Sequence, residues 1–237
     1  MSNTAVILAA GLGKRMQAGH NKQFIEICEQ SVLTHTLTVF AKIPEIAKIV
    51  LVVRAGEEDT CQNMIPEIAE NKTVLAIGGK ERQDSVHNGI RAITWECEYI
   101  LIHDGARPLV TEEVIRRTLL AAQNSGAAIC AVPVKDTIKQ ADSDGNVLAT
   151  IPRESLWAAQ TPQIFSVDAM KRAHAAAIAE GFIGTDDSSL VERMGGRVRC
   201  VQSPRDNLKV TVPEDLRPVT AILLGRMAEG EDLPHVQ

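Results

Sequence analysis

The sequence predicts a single α/β domain in which a mainly parallel β-sheet carries helices on both faces. Three observations support this fold class. Short β-rich runs recur along the 237 residues, stretches with helical spacing lie between most of them, and the runs are almost continuously apolar. No linker-like segment, low-complexity segment or internal repeat interrupts the alternation. We therefore assign residues 1–226 to one domain and residues 227–237 to a polar tail that we expect to be frayed.

The individual elements are predicted from their periodicity. The β-rich runs are Ala5–Ala9, Lys48–Val53, Thr73–Ile77, Tyr99–His103, Ala127–Val132 and Val198–Gln202. Helical spacing is clearest at Glu57–Ala69, Asp84–Ile93 and Glu112–Gln123. Residues 134–153 depart from the alternation, because two short β-like runs flank Asp144-Gly145, a hairpin turn signal. A hairpin of this size is unstable alone, so we expect it to pack on another surface.

Composition narrows the classes of partner and compartment. Apolar residues make up 45% of the chain, yet no run approaches the ~20 residues of a membrane span, so we expect no membrane association. A net charge of -5 argues against a nucleic-acid polymer as partner, but a local basic cluster would still bind a small anion. The five cysteines are odd in number and far apart, which favours a reducing cytoplasm over a disulfide framework or a zinc site.

A glycine-rich turn follows the first predicted strand, in the segment ILAAGLGKRM of residues 7–16. Two common phosphate-binding motifs fail there. A P-loop would need glycine at Leu8 and a hydroxyl residue at Arg15, directly after Lys14. A dinucleotide fingerprint would need a small residue where Met16 stands.

The turn still has the features of an anion site. Ligands of open α/β sheets bind at the carboxyl ends of the strands, where this turn is predicted to lie. Gly11 and Gly13 allow backbone N–H groups to approach an anion closely. The nearby cations that would neutralise it are Lys14, Arg15 and Lys22. A plain strand-to-helix turn with solvated basic residues remains the alternative.

Seven sequence blocks together identify a family resemblance. In chain order they read AAGLGKRM…NKQF, GGKERQDSV, HDGARP, PVKDTI, TPQIF, TDDSS and NLKVTVPEDL. With these blocks the chain resembles 2-C-methyl-D-erythritol 4-phosphate cytidylyltransferases of the non-mevalonate isoprenoid pathway, from about residue 4 to about residue 217. The first block occurs in many nucleotidyltransferases, whereas the whole set is much more specific.

The resemblance implies a single Rossmann-like nucleotidyltransferase domain, a requirement for Mg²⁺ and a homodimer. It also implies that residues 134–153 form a protruding β-arm that reaches over the active site of the neighbouring subunit. The implied reaction joins CTP to 2-C-methyl-D-erythritol 4-phosphate and releases pyrophosphate. An oxygen of the acceptor phosphate would attack the α-phosphorus of CTP, so the barrier falls through charge neutralisation and alignment without a protein nucleophile.

Each block supplies residues whose roles follow from the resemblance. The implied catalytic residues are Arg15, Lys22, Arg153 and Lys209. The implied nucleotide-binding residues are Ala9, Ala10, Gly11, Gly13, Lys14, Gly79, Lys80, Ser85, Asp104 and Gly105. The implied acceptor-binding residues are Arg107, Thr137, Thr185 and Asp186. The predicted Mg²⁺ ligands are Asp104 and, as a second candidate, Asp206.

Structural roles compete with some of these assignments. Asp84 or Ser85 would cap a helix that begins in the GGKERQDSV block, and Thr185 would cap one that begins at TDDSS. Arg107 suits an internal salt bridge as well as it suits a substrate contact. His103 is predicted to be structural, since the reaction needs no proton carrier there. Most members of the family carry alanine at the position after Asp104, where this chain has glycine.

Two other functions remain open at this stage. A ribitol-5-phosphate cytidylyltransferase would share the CTP blocks and differ only in the acceptor pocket. A non-catalytic nucleotide-binding regulator would have lost some of four key residues, but Arg15, Lys22, Asp104 and Lys209 are all present. A dinucleotide-dependent oxidoreductase is disfavoured by the failed fingerprint.

Overall fold

The structure is a computed structural model that describes residues 2–11 and 22–230. Strands, numbered in chain order, are β1 (Asn3–Leu8), β2 (Glu26–Ile27), β3 (Gln30–Ser31), β4 (Ile46–Val53), β5 (Thr73–Ile77), β6 (Tyr99–Asp104), β7 (Ala127–Pro133), β8 (Ile138–Ala141), β9 (Val147–Ile151), β10 (Trp157–Ser166) and β11 (Arg199–Gln202). Helices are α1 (Val32–Lys42), α2 (Glu58–Gln62), α3 (Glu67–Glu70), α4 (Arg82–Arg91), α5 (Glu112–Ser125), α6 (Val167–Glu180), α7 (Asp187–Arg193) and α8 (Leu216–Ala228).

Seven of the strands in the described residues form one sheet in the order β11-β7-β10-β6-β1-β4-β5. Strand β1 pairs in parallel with β4 and β6, β4 with β5, and β11 with β7. Strand β10 runs antiparallel to both β6 and β7. The prediction of a mainly parallel sheet is therefore confirmed. The carboxyl ends of β6, β1, β4 and β5 lie side by side at one edge.

Helices cover both faces of this sheet, as the sequence predicts. Successive strand residues point to opposite faces, so Ala5 and Ile7 join a core with α1 and α5, while Val6 and Leu8 join a core with α4 and α6. A third cluster packs α8 beneath the loop that follows β6. Burying one such aliphatic side chain stabilises the fold by roughly 1.5–3 kcal/mol.

Two details of the predicted elements are wrong. The helix expected over Glu57–Ala69 is two short helices, α2 and α3, because Pro66 disfavours helical backbone at the preceding residue. Helix α8 continues to Ala228, so the proposed tail does not begin at Met227.

Strand β10 has no counterpart among the predicted strands. Its sequence, WAAQTPQIFS, contains a proline and a register shift between Ala159 and Gln163, both of which weaken a strand signal.

The predicted hairpin is confirmed, with a longer connection than the turn signal suggested. Strands β8 and β9 pair antiparallel, and the chain reverses over residues 142–146. The Asp142 carboxylate accepts backbone N–H bonds from Asp144 (3.0 Å) and Asn146 (2.8 Å), while Gly145 adopts a φ of +85°. We call residues 134–153 the β-arm. Val147 and Leu148 on it are about 60% exposed, so in the single chain these side chains lack the packing surface that was expected.

Among the described residues, every helix is too short or too polar to cross a membrane.

The buried imidazole of His174 on α6 makes a prediction about acid stability. Its ring is 1% exposed, lies 5.7 Å from the ring of His87, and finds no hydrogen-bond partner among the described residues. Burial, together with the nearby charges of His87 and Arg82, lowers the pKa of His174 to about 4. The unfolded chain would bind this proton near pH 6.5, so the free energy of unfolding falls as the pH drops from about 6.5 to about 4.

We expect His174→Leu to remove about 2–3 kcal/mol of this acid-dependent loss, measured by urea unfolding at several pH values. Met170→Leu on the same helix is the control, because it changes packing without changing titration. An unfolding free energy of His174→Leu that falls as steeply with acid as the wild-type value would contradict the prediction.

Candidate active site

A cleft of about 420 Å³ opens where the carboxyl ends of β1, β4, β5 and β6 meet. Backbone of the turn after β1 and the first turn of α4 form its walls. Its charged lining is mostly basic, with acidic Glu81 and Asp104 against the cations Lys22, Arg54, Lys80, Arg82 and Lys209. Such a lining favours an anionic ligand. The helix N-terminus of α4, which carries a partial positive charge, adds to this preference.

The turn after β1 reaches the cleft as predicted. Ala10 and Gly11 line it, while Ala9 is buried and donates its N–H to the carbonyl of Val52 at 2.7 Å. Lys22 is also in the lining, within a 3₁₀ turn over Lys22–Phe24. The remaining predicted residues of this block lie outside the described residues: Gly13, Lys14 and Arg15.

Asp104, at the end of β6, is the centre of an ionic cluster. Its Oδ2 lies 2.8 Å from Lys209 Nζ and 3.4 Å from Arg107 Nε, and its Oδ1 lies 3.5 Å from Arg82 Nε. The side chain of Asp104 is 10% exposed. Burial alone would raise the pKa of Asp104, but the three cations together hold it well below its usual range. Asp104 therefore stays ionised at any physiological pH.

Arg82 is a site residue that the sequence analysis did not single out, although it stands inside the GGKERQDSV block. Besides Asp104, its guanidinium contacts the buried Asp187, with Nη1 2.8 Å from Oδ2. Burial raises the pKa of Asp187, and the charge of Arg82 opposes that rise. The sequence analysis considered Asp186, whereas its neighbour Asp187 makes the ionic contact. Only the fold reveals which of two adjacent acids faces inward.

The start of α4 brings Gly79, Lys80 and Ser85 to the cleft wall. Ser85 Oγ accepts the Gly79 N–H at 3.0 Å and donates to the Glu81 carbonyl at 3.1 Å. The N-cap of α4 is Glu81, not Asp84 or Ser85 as considered from sequence; Asp84, at the third helical position, accepts the Glu81 N–H at 3.0 Å as the second member of a capping box. Gly79 and Ser85 therefore line the cleft and also form a hydrogen bond that stabilises the helix start.

Hydrogen bonds hold the residues next to Asp104 in place. His103 is fully buried, with Nδ1 3.0 Å from Thr161 Oγ1 and Nε2 3.3 Å from the Arg107 carbonyl. Burial lowers the pKa of His103 to about 3, so the ring is neutral and structural, as predicted. Arg107 also donates to the Asn207 carbonyl at 2.8 Å and forms the internal salt bridge that was considered. Gly105 donates its N–H to the Leu8 carbonyl at 3.0 Å.

The predicted acceptor-binding residues and Arg153 of the arm are not in the lining of this cleft in the single chain, although Arg107 contacts Asp104, which is. Thr137 and Arg153 are exposed on the β-arm, where the Arg153 guanidinium donates to the Lys135 carbonyl. Thr185 is exposed, and the cap of α7 is Asp186, not Thr185 as considered from sequence. The Asp186 carboxylate accepts the Ser189 N–H at 3.0 Å, so this side chain is committed to the helix start.

The second metal candidate, Asp206, is bound to the last helix. Its Oδ2 accepts from Arg226 Nη2 at 3.0 Å, and Arg226 also donates to the Leu109 carbonyl at 3.0 Å. Asp206 Oδ1 is buried without a hydrogen-bond partner among the described residues. A metal-ligand role for Asp206 stays a prediction.

Known proteins share this fold and sequence over most of their length. A family model described as 2-C-methyl-D-erythritol 4-phosphate cytidylyltransferase matches residues 3–225. A relative of that name from Geobacillus kaustophilus is 47% identical over 230 residues, covering 97% of this chain and all of the relative. One from Alkaliphilus metalliredigens is 46% identical over 90% of this chain and 89% of its own. The crystal structure of 4-diphosphocytidyl-2C-methyl-D-erythritol synthase from Anaerococcus prevotii superposes with a TM-score of 0.83 at 31% identity, covering 93% and 97% of the two chains.

The glycine pair before α4 yields a stability prediction. A Cβ on Gly79 would lie 2.3 Å from Asp84 Cβ and 3.2 Å from the Asp84 backbone carbon, so the helix start would have to move. We expect Gly79→Ala to lower the free energy of unfolding by about 1–3 kcal/mol, as overpacking does. Gly225→Ala in α8 is the matched control, because nothing among the described residues lies within 4 Å of its added Cβ. Urea unfolding of both variants tests this, and a Gly79→Ala variant as stable as wild type would contradict the tight fit.

Proposed function

Because the chain belongs to the 2-C-methyl-D-erythritol 4-phosphate cytidylyltransferase family, we propose that it joins CTP and 2-C-methyl-D-erythritol 4-phosphate. The products would be 4-diphosphocytidyl-2-C-methyl-D-erythritol and pyrophosphate. The family match favours this acceptor over ribitol 5-phosphate, and an enzyme over a nucleotide-binding regulator. The observation that carries the proposal is the basic cleft built around ionised Asp104.

The chemistry needs what this cleft supplies. An oxygen of the acceptor phosphate forms a bond to the α-phosphorus of CTP, while the bond from that phosphorus to the α,β-bridging oxygen breaks. Pyrophosphate leaves with the electron pair. Both reactants are anions, so fixed cations lower the barrier by holding them together and by neutralising charge in the transition state. Lys22 and Lys209 line the cleft and are the described residues to which we assign this role, with Arg15 as a third.

The strand order supports an orientation for the nucleotide. Strands β6 and β5 are three strand spacings apart in the sheet, which is roughly 14 Å. A nucleotide laid across the strand ends would place its phosphates toward Asp104 and Lys209, at the end of the cleft near β6. Its base would then lie toward Gly79 and Lys80, after β5, where exposed backbone groups are available for recognition.

Mg²⁺ is part of the proposal, with Asp104 as its protein ligand. No group of three or more His, Cys, Asp or Glu side chains within residues 2–11 and 22–230 suits a metal, so these residues alone do not build a cage. Mg²⁺ commonly takes one or two carboxylates and completes its shell with phosphate oxygens and water. Asp104 fits this pattern because it is ionised and because, in the described part of the chain, the cation contact of its Oδ1 is the long one of 3.5 Å with Arg82. When bound, the ion would neutralise triphosphate charge.

A homodimer is also proposed, through the β-arm. Thr137 and Arg153 are exposed on the arm and are not in the lining of the cleft of their own chain, so they would act on a neighbouring subunit. The exposed Val147 and Leu148 give the arm an apolar surface for such a contact. A cytoplasmic location completes the proposal, because five scattered cysteines suit a reducing compartment.

The proposed reaction is tested by incubating purified protein with CTP, Mg²⁺ and each acceptor, and by measuring pyrophosphate release. We expect turnover with 2-C-methyl-D-erythritol 4-phosphate and much slower turnover with ribitol 5-phosphate. Lys22→Met, prepared in parallel, controls for contaminating enzymes, since loss of one preorganised cation should lower turnover by ~10²–10³-fold. Equal or faster turnover with ribitol 5-phosphate would overturn the acceptor assignment.

The shared site is tested by mixing two inactive homodimers. If Arg153 serves the neighbouring chain, Lys209→Met and Arg153→Met subunits combine into heterodimers in which one site carries both substitutions and the other carries neither. Random pairing makes about half the dimers mixed, so roughly a quarter of wild-type activity should return.

Subunit exchange must be shown separately with tagged wild-type chains. Confirmed exchange without recovered activity would mean that Arg153 acts on its own chain or not at all.

A further inference from the structure

We propose that Arg82 is a positioning residue that orients Asp104 from the opposite side of the site, by anchoring it to Asp187 on α7. This inference rests on the proposed function. It assigns a role to Arg82 and to Asp187. Asp187 is buried and contacts Arg82, which lines the cleft.

The guanidinium of Arg82 spans two carboxylates that are both largely withdrawn from water. The side chain of Asp187 is 2% exposed and that of Asp104 is 10% exposed, whereas that of Arg82 is 34% exposed. Asp104 also has Lys209 and Arg107, but among the described residues the buried charge of Asp187 is balanced by Arg82, so Asp187 holds the guanidinium in place. The planar fork of arginine suits this bridge, because Nη1 serves Asp187 while Nε faces Asp104.

The three cations around Asp104 divide its two oxygens between them. Lys209 and Arg107 both approach Oδ2, and Arg82 approaches Oδ1. Rotation about the Cβ–Cγ bond would move both oxygens away from their partners. The contact on Oδ1 therefore adds to the contacts on Oδ2 in fixing the plane of the carboxylate. Because Lys209 is held by the same carboxylate, a rotated Asp104 would also displace Lys209.

The anchor for this contact is α7, whose first residue is hydrogen-bonded to β10 and whose preceding loop is hydrogen-bonded to the start of α4. Gln83, next to Arg82, donates Nε2 to the Phe182 carbonyl at 3.0 Å and accepts the Gly184 N–H on Oε1 at 2.8 Å. Gln163 Oε1 accepts the N–H of Asp187 at 3.1 Å. Arg82 therefore connects the lining of the cleft with the TDDSS segment, whose Thr185 and Asp186 the family resemblance implies to bind the acceptor.

The test compares Asp187→Asn, Arg82→Lys and the double variant Arg82→Lys/Asp187→Asn with wild type. Arg82→Lys is used instead of Arg82→Met, because Arg82→Met would leave Asp187 buried without its cation and lower the stability of the fold. Arg91→Met, exposed at the far end of α4, is the matched control. The measurements are the affinity for CTP by calorimetry, kcat by pyrophosphate release, and the melting temperature.

Asp187→Asn removes no group from the cleft lining. We nevertheless expect it to weaken CTP binding and to lower kcat by about 10–100-fold, as loss of a residue that orients a binding group does. Arg82→Lys should lose a similar factor, because an ammonium group cannot span both acids. The double variant should lose about as much as Asp187→Asn and not the product of separate losses, since both substitutions break the same connection. Arg91→Met should stay within about twofold of wild type.

A merely structural pair would lower the melting temperature and leave CTP affinity and kcat of the folded protein unchanged, and that result would overturn the inference. So would a double variant whose loss is the product of the losses in Asp187→Asn and Arg82→Lys. Wild-type protein that releases no pyrophosphate would instead reject the proposed function, so the two failures are distinguishable.

Discussion

The structure depends on one buried carboxylate that is kept ionised by three cations. Asp104 alone would be costly to bury, and each cation near it would repel the others without it. The three cations come from separate parts of the chain: the first turn of α4, the loop after β6, and the segment after β11. The ionic contacts of Asp104 with these three cations thus hold together the segments that line the cleft. Asp104 is itself fixed by its place at the end of β6, the central strand of the sheet.

Much of the fold could be predicted from the sequence, because parallel strands that are buried on both faces are almost continuously apolar and can be recognised as such. Strand Thr73–Ile77 is observed with the predicted bounds, and the hairpin was located from Asp144-Gly145. Strand β10 escaped prediction since Ala, Gln and Pro carry little strand propensity, and its pairing with β6 and β7 is what makes it a strand.

The site was predicted unevenly for a physical reason. Ala10, Gly11, Lys22, Gly79, Lys80, Ser85, Asp104 and Lys209 were found because family blocks mark them, and the fold brings them to one cleft. Arg82 was missed inside such a block, since a sequence does not show that two acids, distant in the chain, converge on one guanidinium. Asp187 was missed beside Asp186 for a similar reason: the first acid caps α7 and the second contacts Arg82 in the interior. Lys14 and Arg15 rest on sequence alone.

The attachment of the last helix to the site has a practical consequence for handling the protein. Arg226 in α8 donates hydrogen bonds to the Leu109 carbonyl and to Asp206, which lie in the loops that also carry Arg107 and Lys209. The Val210 N–H joins the same two loops by donating to the Ala106 carbonyl at 2.8 Å. A purification tag or fused domain joined after residue 230 leaves these bonds in place. A chain shortened to end before Arg226 loses the two bonds that Arg226 makes, and the damage reaches the cleft from a segment that is not among its lining residues.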